Sequence, residues 1–147
     1  MDGNIESLIA EVRNTESQYG EISLSEVRRL HRQTVMAILK KHSSLSGSEV
    51  RFLRERMSYS RQRVADAVGI SRDTLESWEQ DSAFIIPAID IRLRLLCAEH
   101  LGVILDVRSV LCALVRQSRR EAEMERISRA SASSTRQAPR ASASLSR

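Results

Sequence analysis

SRQRVADAVGISRDTLESWEQ, residues 60–80, is the stretch on which the reading of the whole chain turns. Ser60 stands where a helix N-cap belongs, and Val64, Ala65 and Val68 recur behind it on one helical face. Gly69 follows where the chain must turn, in a backbone conformation that would strain a residue carrying a Cβ. Ser71 then caps a second helix, with Ile70 just ahead of the cap and Leu75 and Trp78 on the inner side. Ala65 lies where the two helices cross, and its small side chain lets them approach. The stretch reads as two short helices joined by a tight turn, the second projecting from its domain.

In kind and spacing, Ala65, Gly69, Ser71, Thr74, Leu75, Trp78 and Glu79 resemble the Cro/lambda-repressor-like (XRE) helix-turn-helix family. The likeness extends to SGSEVRFLRERM at 46–57 and PAIDIRLRLL at 87–96. That longer pattern is similar to the DNA-binding half of MqsA-type antitoxins and covers about residues 46–101. The resemblance implies an all-α, lambda-repressor-like helix-turn-helix domain whose second motif helix enters a DNA major groove. MqsA-type antitoxins often carry a zinc module ahead of this half; its cysteines are missing here, so that part does not carry over.

A chain of 147 residues has room for one ordinary domain with appendages, or for two very small ones. With aromatics at 3%, the core must come from Leu, Ile, Val, Ala and Met. A formal charge of +4 and a pI near 9.7 permit nucleic-acid binding. The excess lies outside the motif, however: between residues 49 and 81 acidic side chains slightly outnumber arginines. Cys97 and Cys112 form no CxxC pair and are expected to be buried thiols in a reducing compartment. His31, His42 and His100 lack ligand spacing, so neither metal nor cofactor is expected. No signal peptide or membrane span is apparent, which makes the expected location cytoplasmic. With no nucleophile–base pair and no phosphate-binding glycine loop, the chain does not read as an enzyme.

Residues 1–44 read as an N-terminal helical extension. NIESLIAEVRN at 4–14 makes a short amphipathic helix with Ile5, Leu8, Ile9 and Val12 inward, to dock on the domain or a partner or to fray. Ser23 and Glu26 have capping-box spacing before a stronger helix with Val27, Leu30, Thr34 or Val35, and Ile38 inward. The helix-turn-helix domain spans 45–101. Ser46 and Glu49 repeat the capping-box spacing ahead of Val50, Leu53 and Met57, with Arg51 suited to a structural salt bridge. Pro87 opens a further helix with Ile89, Leu93, Leu96 and Leu101 inward and Arg92 and Arg94 solvated. A C-terminal helix is expected over 102–128, where Val103, Val107, Val110, Leu111 and Leu114 form a stripe widened by Ile104 and Val115. Such a stripe is too broad to leave in water; it closes the core or, as favoured, pairs with its twin in a homodimer. Residues 129–147 are expected to form a disordered Ser/Ala/Arg tail, either simply solvated or adding phosphate attraction through its arginines.

The resemblance marks Arg61, Gln62, Ser71, Arg72, Asp73, Thr74 and Ser77 as the DNA-facing residues. Arg61 holds a family position usually occupied by glutamine, and a guanidinium there suits a phosphate or guanine O6 and N7. Ser71 and the N–H groups behind it favour an acceptor, while Thr74 and Ser77 add short-range polar contacts. Arg72 and Asp73 project from the first turn of the second motif helix as candidate base readers. Asp73 also suits the positive end of its own helix, and Glu76 a pair with Arg72 four residues earlier; those structural roles are preferred. Asp81 replaces the glycine common after the Trp-Glu pair, and Trp78 is expected to anchor the core. The expected function is a sequence-specific transcriptional regulator, a repressor and autoregulatory, binding an inverted-repeat operator in double-stranded DNA as a homodimer. The alternative is an antitoxin-like module that uses the same fold to bind a toxin or another partner protein.

Overall fold

The computed structural model describes residues 3–17 and 23–134, and every regular element among them is helical. In order these are α1 (Gly3–Ser17), α2 (Leu24–Lys40), α3 (Gly47–Arg56), α4 (Arg61–Val68), α5 (Arg72–Glu79), α6 (Pro87–Leu101) and α7 (Val107–Ser134). Serines start the central helices. Ser23 and Ser46 each close a full capping box with Glu26 and Glu49, and Ser60 and Ser71 accept from the N–H groups of Arg63 and Thr74. Glycines in the left-handed region end α4 and α6, Gly69 at φ 79° and Gly102 at φ 63°.

One core runs through α1 to α6. Val50, Phe52 and Leu53 of α3 meet Val64, Ala65 and Val68 of α4, Leu75 and Trp78 of α5, and Leu93 and Cys97 of α6. Ile5, Ile9 and Val12 of α1 and Val35, Ile38 and Leu39 of α2 join the same cluster, so α1 docks on the protein's own helices. Both Thr34 and Val35 are buried, the Thr34 hydroxyl donating to the Leu30 carbonyl at 2.9 Å. A smaller cluster of Ile91, Val110 and Leu114 fastens α7 to α6. No helix among the described residues is long and apolar enough to cross a membrane.

Arg94, expected in solvent, is fully buried. Its Nε donates to Asp90 Oδ1 at 2.6 Å, Nη1 to the carbonyls of Ile38, Leu39 and Lys41 at 3.2, 3.2 and 2.5 Å, and Nη2 to Ser43 O at 2.7 Å. Carbonyls at the end of α2 and in the loop behind it lack i+4 partners, and the guanidinium fork meets them, Ile38 O also accepting from the Lys41 N–H at 3.3 Å. Arg92 does stay exposed, and its Nη1 donates to the Val68 carbonyl at the end of α4 at 3.2 Å. Leu101 is exposed as well, rather than inward.

Three further expectations change. The stripe from 103 to 115 is not one helical face: residues 103–106 are non-helical, and the Asp106 side chain accepts from the Ser109 N–H at 3.2 Å as α7 begins. Its inner members Val110 and Leu114 are covered by α6, whereas Ile104 is 94% exposed. Cys97 is buried, which pushes its thiol up to about 12, but Cys112 faces solvent because it sits off the Val110–Leu114 line. Helix α7 also continues through Arg129 to Ser134, with Arg129 bonded to Glu125 one turn earlier. The rest of the expected tail, including Arg136, Arg140 and Arg147, lies outside the described residues.

Asp81 stands in a left-handed turn position that ordinarily favours glycine. It adopts φ 53°, and its Oδ1 accepts from the Gly47 N–H at 2.6 Å. Gly47 is needed there because a Cβ would overlap the Trp78 carbonyl oxygen.

Asp90→Ala leaves the Arg94 charge buried without its counter-ion and is expected to cost about 3–5 kcal/mol in urea unfolding. Arg92→Ala, which removes one hydrogen bond at the surface, should cost about 1 kcal/mol. Equal costs for the two variants would contradict the weight placed on the buried pair.

Candidate functional site

The expected site residues fall on α4, α5 and the turn between them. The turn is tight because Gly69 and Ile70 N–H groups both donate to the Ala65 carbonyl, at 2.9 and 3.0 Å. Ala65 is fully buried at the crossing, and Leu75 and Trp78 hold the inner side of α5. This leaves the start of α5 outward: Ser71, Arg72 and Asp73 are exposed, while Thr74 and Ser77 are half-buried.

Behind that face lies a charge cluster centred on Glu79. Its carboxylate is buried and accepts from Arg54 Nε at 2.5 Å and from Arg61 Nε at 2.8 Å. Arg54 Nη1 also donates to the Tyr59 carbonyl at 3.3 Å, so α3, the α3–α4 loop, α4 and α5 meet at one carboxylate. Burial by itself raises the Glu79 pKa, but the hydrogen bonds and charges of Arg54 and Arg61 outweigh it and hold the carboxyl below its usual range.

Arg61 is therefore a clasp for Glu79 and not a freely presented phosphate or guanine contact. It also pairs with Glu76, Nη1 to Oε1 at 3.7 Å, so Glu76 faces α4 rather than Arg72. Two further expected contacts are engaged locally. The Ser71 hydroxyl accepts from the Thr74 N–H at 3.0 Å and lies 2.8 Å from the Thr74 hydroxyl, and Gln62 Nε2 donates to Asp66 Oδ1 at 2.8 Å. The Arg63 guanidinium covers the Tyr59 ring, 3.8 Å from its centroid. Arg72 is different: it is exposed and makes no ion pair among the described residues.

The geometry thus brings Ser71, Arg72, Asp73 and Thr74 together at the exposed first turn of α5, with Gln62 on α4 and Ser77 one turn further along. Arg61 lies beside them, half-buried and bonded to Glu79. Exposed Asp66 and Asp73 partly offset Arg63 and Arg72, so the face is only weakly charged. Arg54 and Glu79 were not expected as site residues. No local signal marked them, because the Glu79 carboxylate is buried only by the packing of α5 against α3 and α4. Among the described residues no group of three or more His, Cys, Asp or Glu could hold a metal ion. The chain has no significant match to any protein-family model, curated protein or solved structure.

The lowered Glu79 pKa has a defined sign. Stability from the ionised carboxylate is complete above the ordinary glutamate pKa and is lost as pH falls through the lower folded value. Glu79→Gln should lower stability at neutral pH and reduce the loss between neutral and acid pH, measured by urea unfolding across pH. An acid limb identical to that of the unmodified protein would show that the clasp contributes nothing.

Proposed function

We propose that this protein is a sequence-specific DNA-binding transcriptional regulator, with α4 and α5 as a lambda-repressor-like helix-turn-helix and α5 as its recognition helix. The observation that carries the reading is the first turn of α5. It is capped by Ser71, set outward by the Gly69 turn, and bears the exposed guanidinium of Arg72, which makes no ion pair among the described residues. A short helix presented end-on in this way suits a major groove, where an arginine fork matches guanine O6 and N7. Asp73 beside it suits cytosine N4, and the Ser71 and Thr74 hydroxyls suit short polar contacts. Phosphate attraction sets position and base contacts set sequence. With Arg61 held by Glu79, the burden of recognition falls on Arg72.

One such helix reads only a few base pairs. Two copies on an inverted repeat would place half-sites about 34–36 Å apart, or a multiple of that, and block polymerase by occupancy. The weak charge of the α5 face favours a second reading, in which the same fold binds a partner protein in the manner of an antitoxin. The two differ in whether duplex DNA binds at all.

Selection of bound sequences from a random duplex library at near-physiological salt separates them. An inverted repeat is expected, and absence of any enrichment with folded protein would favour the protein-partner reading. Against the selected site, Arg72→Ala should lose about 1–3 kcal/mol of affinity, concentrated at one base position. A uniform loss over all sequences would reduce Arg72 to a phosphate contact.

A further inference from the structure

A cleft between α2, the last turn of α3 and the loop after α6 encloses about 520 Å³. That volume lies within the range of small-molecule sites. One wall is cationic: Arg28 and Arg32 stand one turn apart on α2, and Arg56 ends α3. The Arg56 guanidinium is held in place, with Nη1 2.9 Å from His31 Nδ1 and Cζ 5.3 Å from the centroid of the Phe52 ring. Arg28 and Arg32 are exposed and make no ion pair among the described residues. Among the described residues the one acidic group on the rim, Glu55, already accepts from Arg51 Nε at 2.9 Å. Apolar lining comes from Val35, Leu101 and Val103.

We propose that this cleft binds a small organic anion, its carboxylate or phosphate taken by Arg28, Arg32 and Arg56 and its apolar body laid on Val35, Leu101 and Val103. Planar guanidinium forks favour carboxylate and phosphate oxygens, and among the described residues two of the three pair with no acid. The apolar lining selects for a ligand with a carbon skeleton over a bare inorganic ion. A DNA phosphate is the other source of the same anionic chemistry. It is disfavoured because the cleft shares no residue with the exposed face of α5. The proposal rests on the cleft alone and not on DNA binding by α5.

Phenyl phosphate is the probe, followed by thermal unfolding of the full chain and by titration of backbone amide resonances. It should raise Tm saturably, more than inorganic phosphate at the same concentration, and shift the amides of Arg32, Ser58 and Val103. The double variant Arg28→Gln/Arg32→Gln changes exposed side chains only; it should unfold near the Tm of the unmodified protein and need about tenfold more phenyl phosphate. No rise in Tm, an equal rise in the double variant, or an equal effect of inorganic phosphate would each overturn the proposal. So would an inert probe combined with a double variant that loses DNA affinity and salt dependence, which would assign the cleft to backbone phosphate.

Discussion

A charge placed in the middle of an apolar core is tolerated only when its hydrogen-bonding capacity is used, and Arg94 satisfies that constraint. Its fork collects the carbonyls at the end of α2 and that of Ser43, while Asp90 both neutralises it and accepts from the Leu45 N–H at 2.8 Å. Lys41 and Glu49, paired at 2.9 Å and nearly buried, make a second link from the end of α2 to the start of α3. These bonds fix where α2 stops and how the following loop enters α3. α4 and α7 both pack on α6, so the seating of α6 against the end of α2 bears on where the outward helix pair lies. Burial of apolar surface is less directional and would tolerate small shifts; a fork with several carbonyl partners does not.

Glu79 does for α5 what Asp90 does for α6. A helix eight residues long, Arg72–Glu79, has too few internal hydrogen bonds to hold its own orientation. Leu75 and Trp78 fix its depth, and the two arginines on Glu79 fix its rotation against α3 and α4. Using Arg61 for this purpose takes a cation away from the outer face. The gain is an orientation that does not depend on a ligand, and preorganisation of this kind lowers the ordering cost of binding. The remaining outer charges, Arg63 and Arg72 against Asp66 and Asp73, make any attraction to a polyanion modest.

Local signals were legible in the chain and distant ones were not. The serine caps, the Gly69 turn and the Val64–Ala65–Val68 stripe each depend on neighbours within a few residues, and each appears where its spacing places it. Arg94 was misread because its exposure depends on α2 carbonyls more than fifty residues away in sequence. The i,i+4 spacing of Asp90 and Arg94 was visible, but the same spacing is ordinary on solvated helix faces. The Arg61 clasp was hidden for a related reason: its partner Glu79 closes the next helix, eighteen residues on. The 103–115 stripe failed on a signal that was present, since Asp106 with Ser109 two residues into α7 is a helix start in mid-stripe.

That last misreading bears on assembly. The apolar face expected to pair two copies is largely consumed within one chain, Val110 and Leu114 lying against Ile91. What remains exposed along this region, Ile104, Val115, Met124 and Ile127, is scattered over a loop and several turns of α7. Beyond Ser118 the helix has no buried residue among those described, and its order rests on pairs such as Arg126 with Glu123 and Arg129 with Glu125. Pairs of that kind contribute only about 0.2–0.5 kcal/mol each. Stable standard-size interfaces bury about 1,200–2,000 Å² around an apolar centre, which these separated side chains do not provide. Were two copies to sit on the inverted repeat proposed above, these side chains would add little to their pairing, and the spacing of the half-sites would supply most of the effective concentration that brings them together.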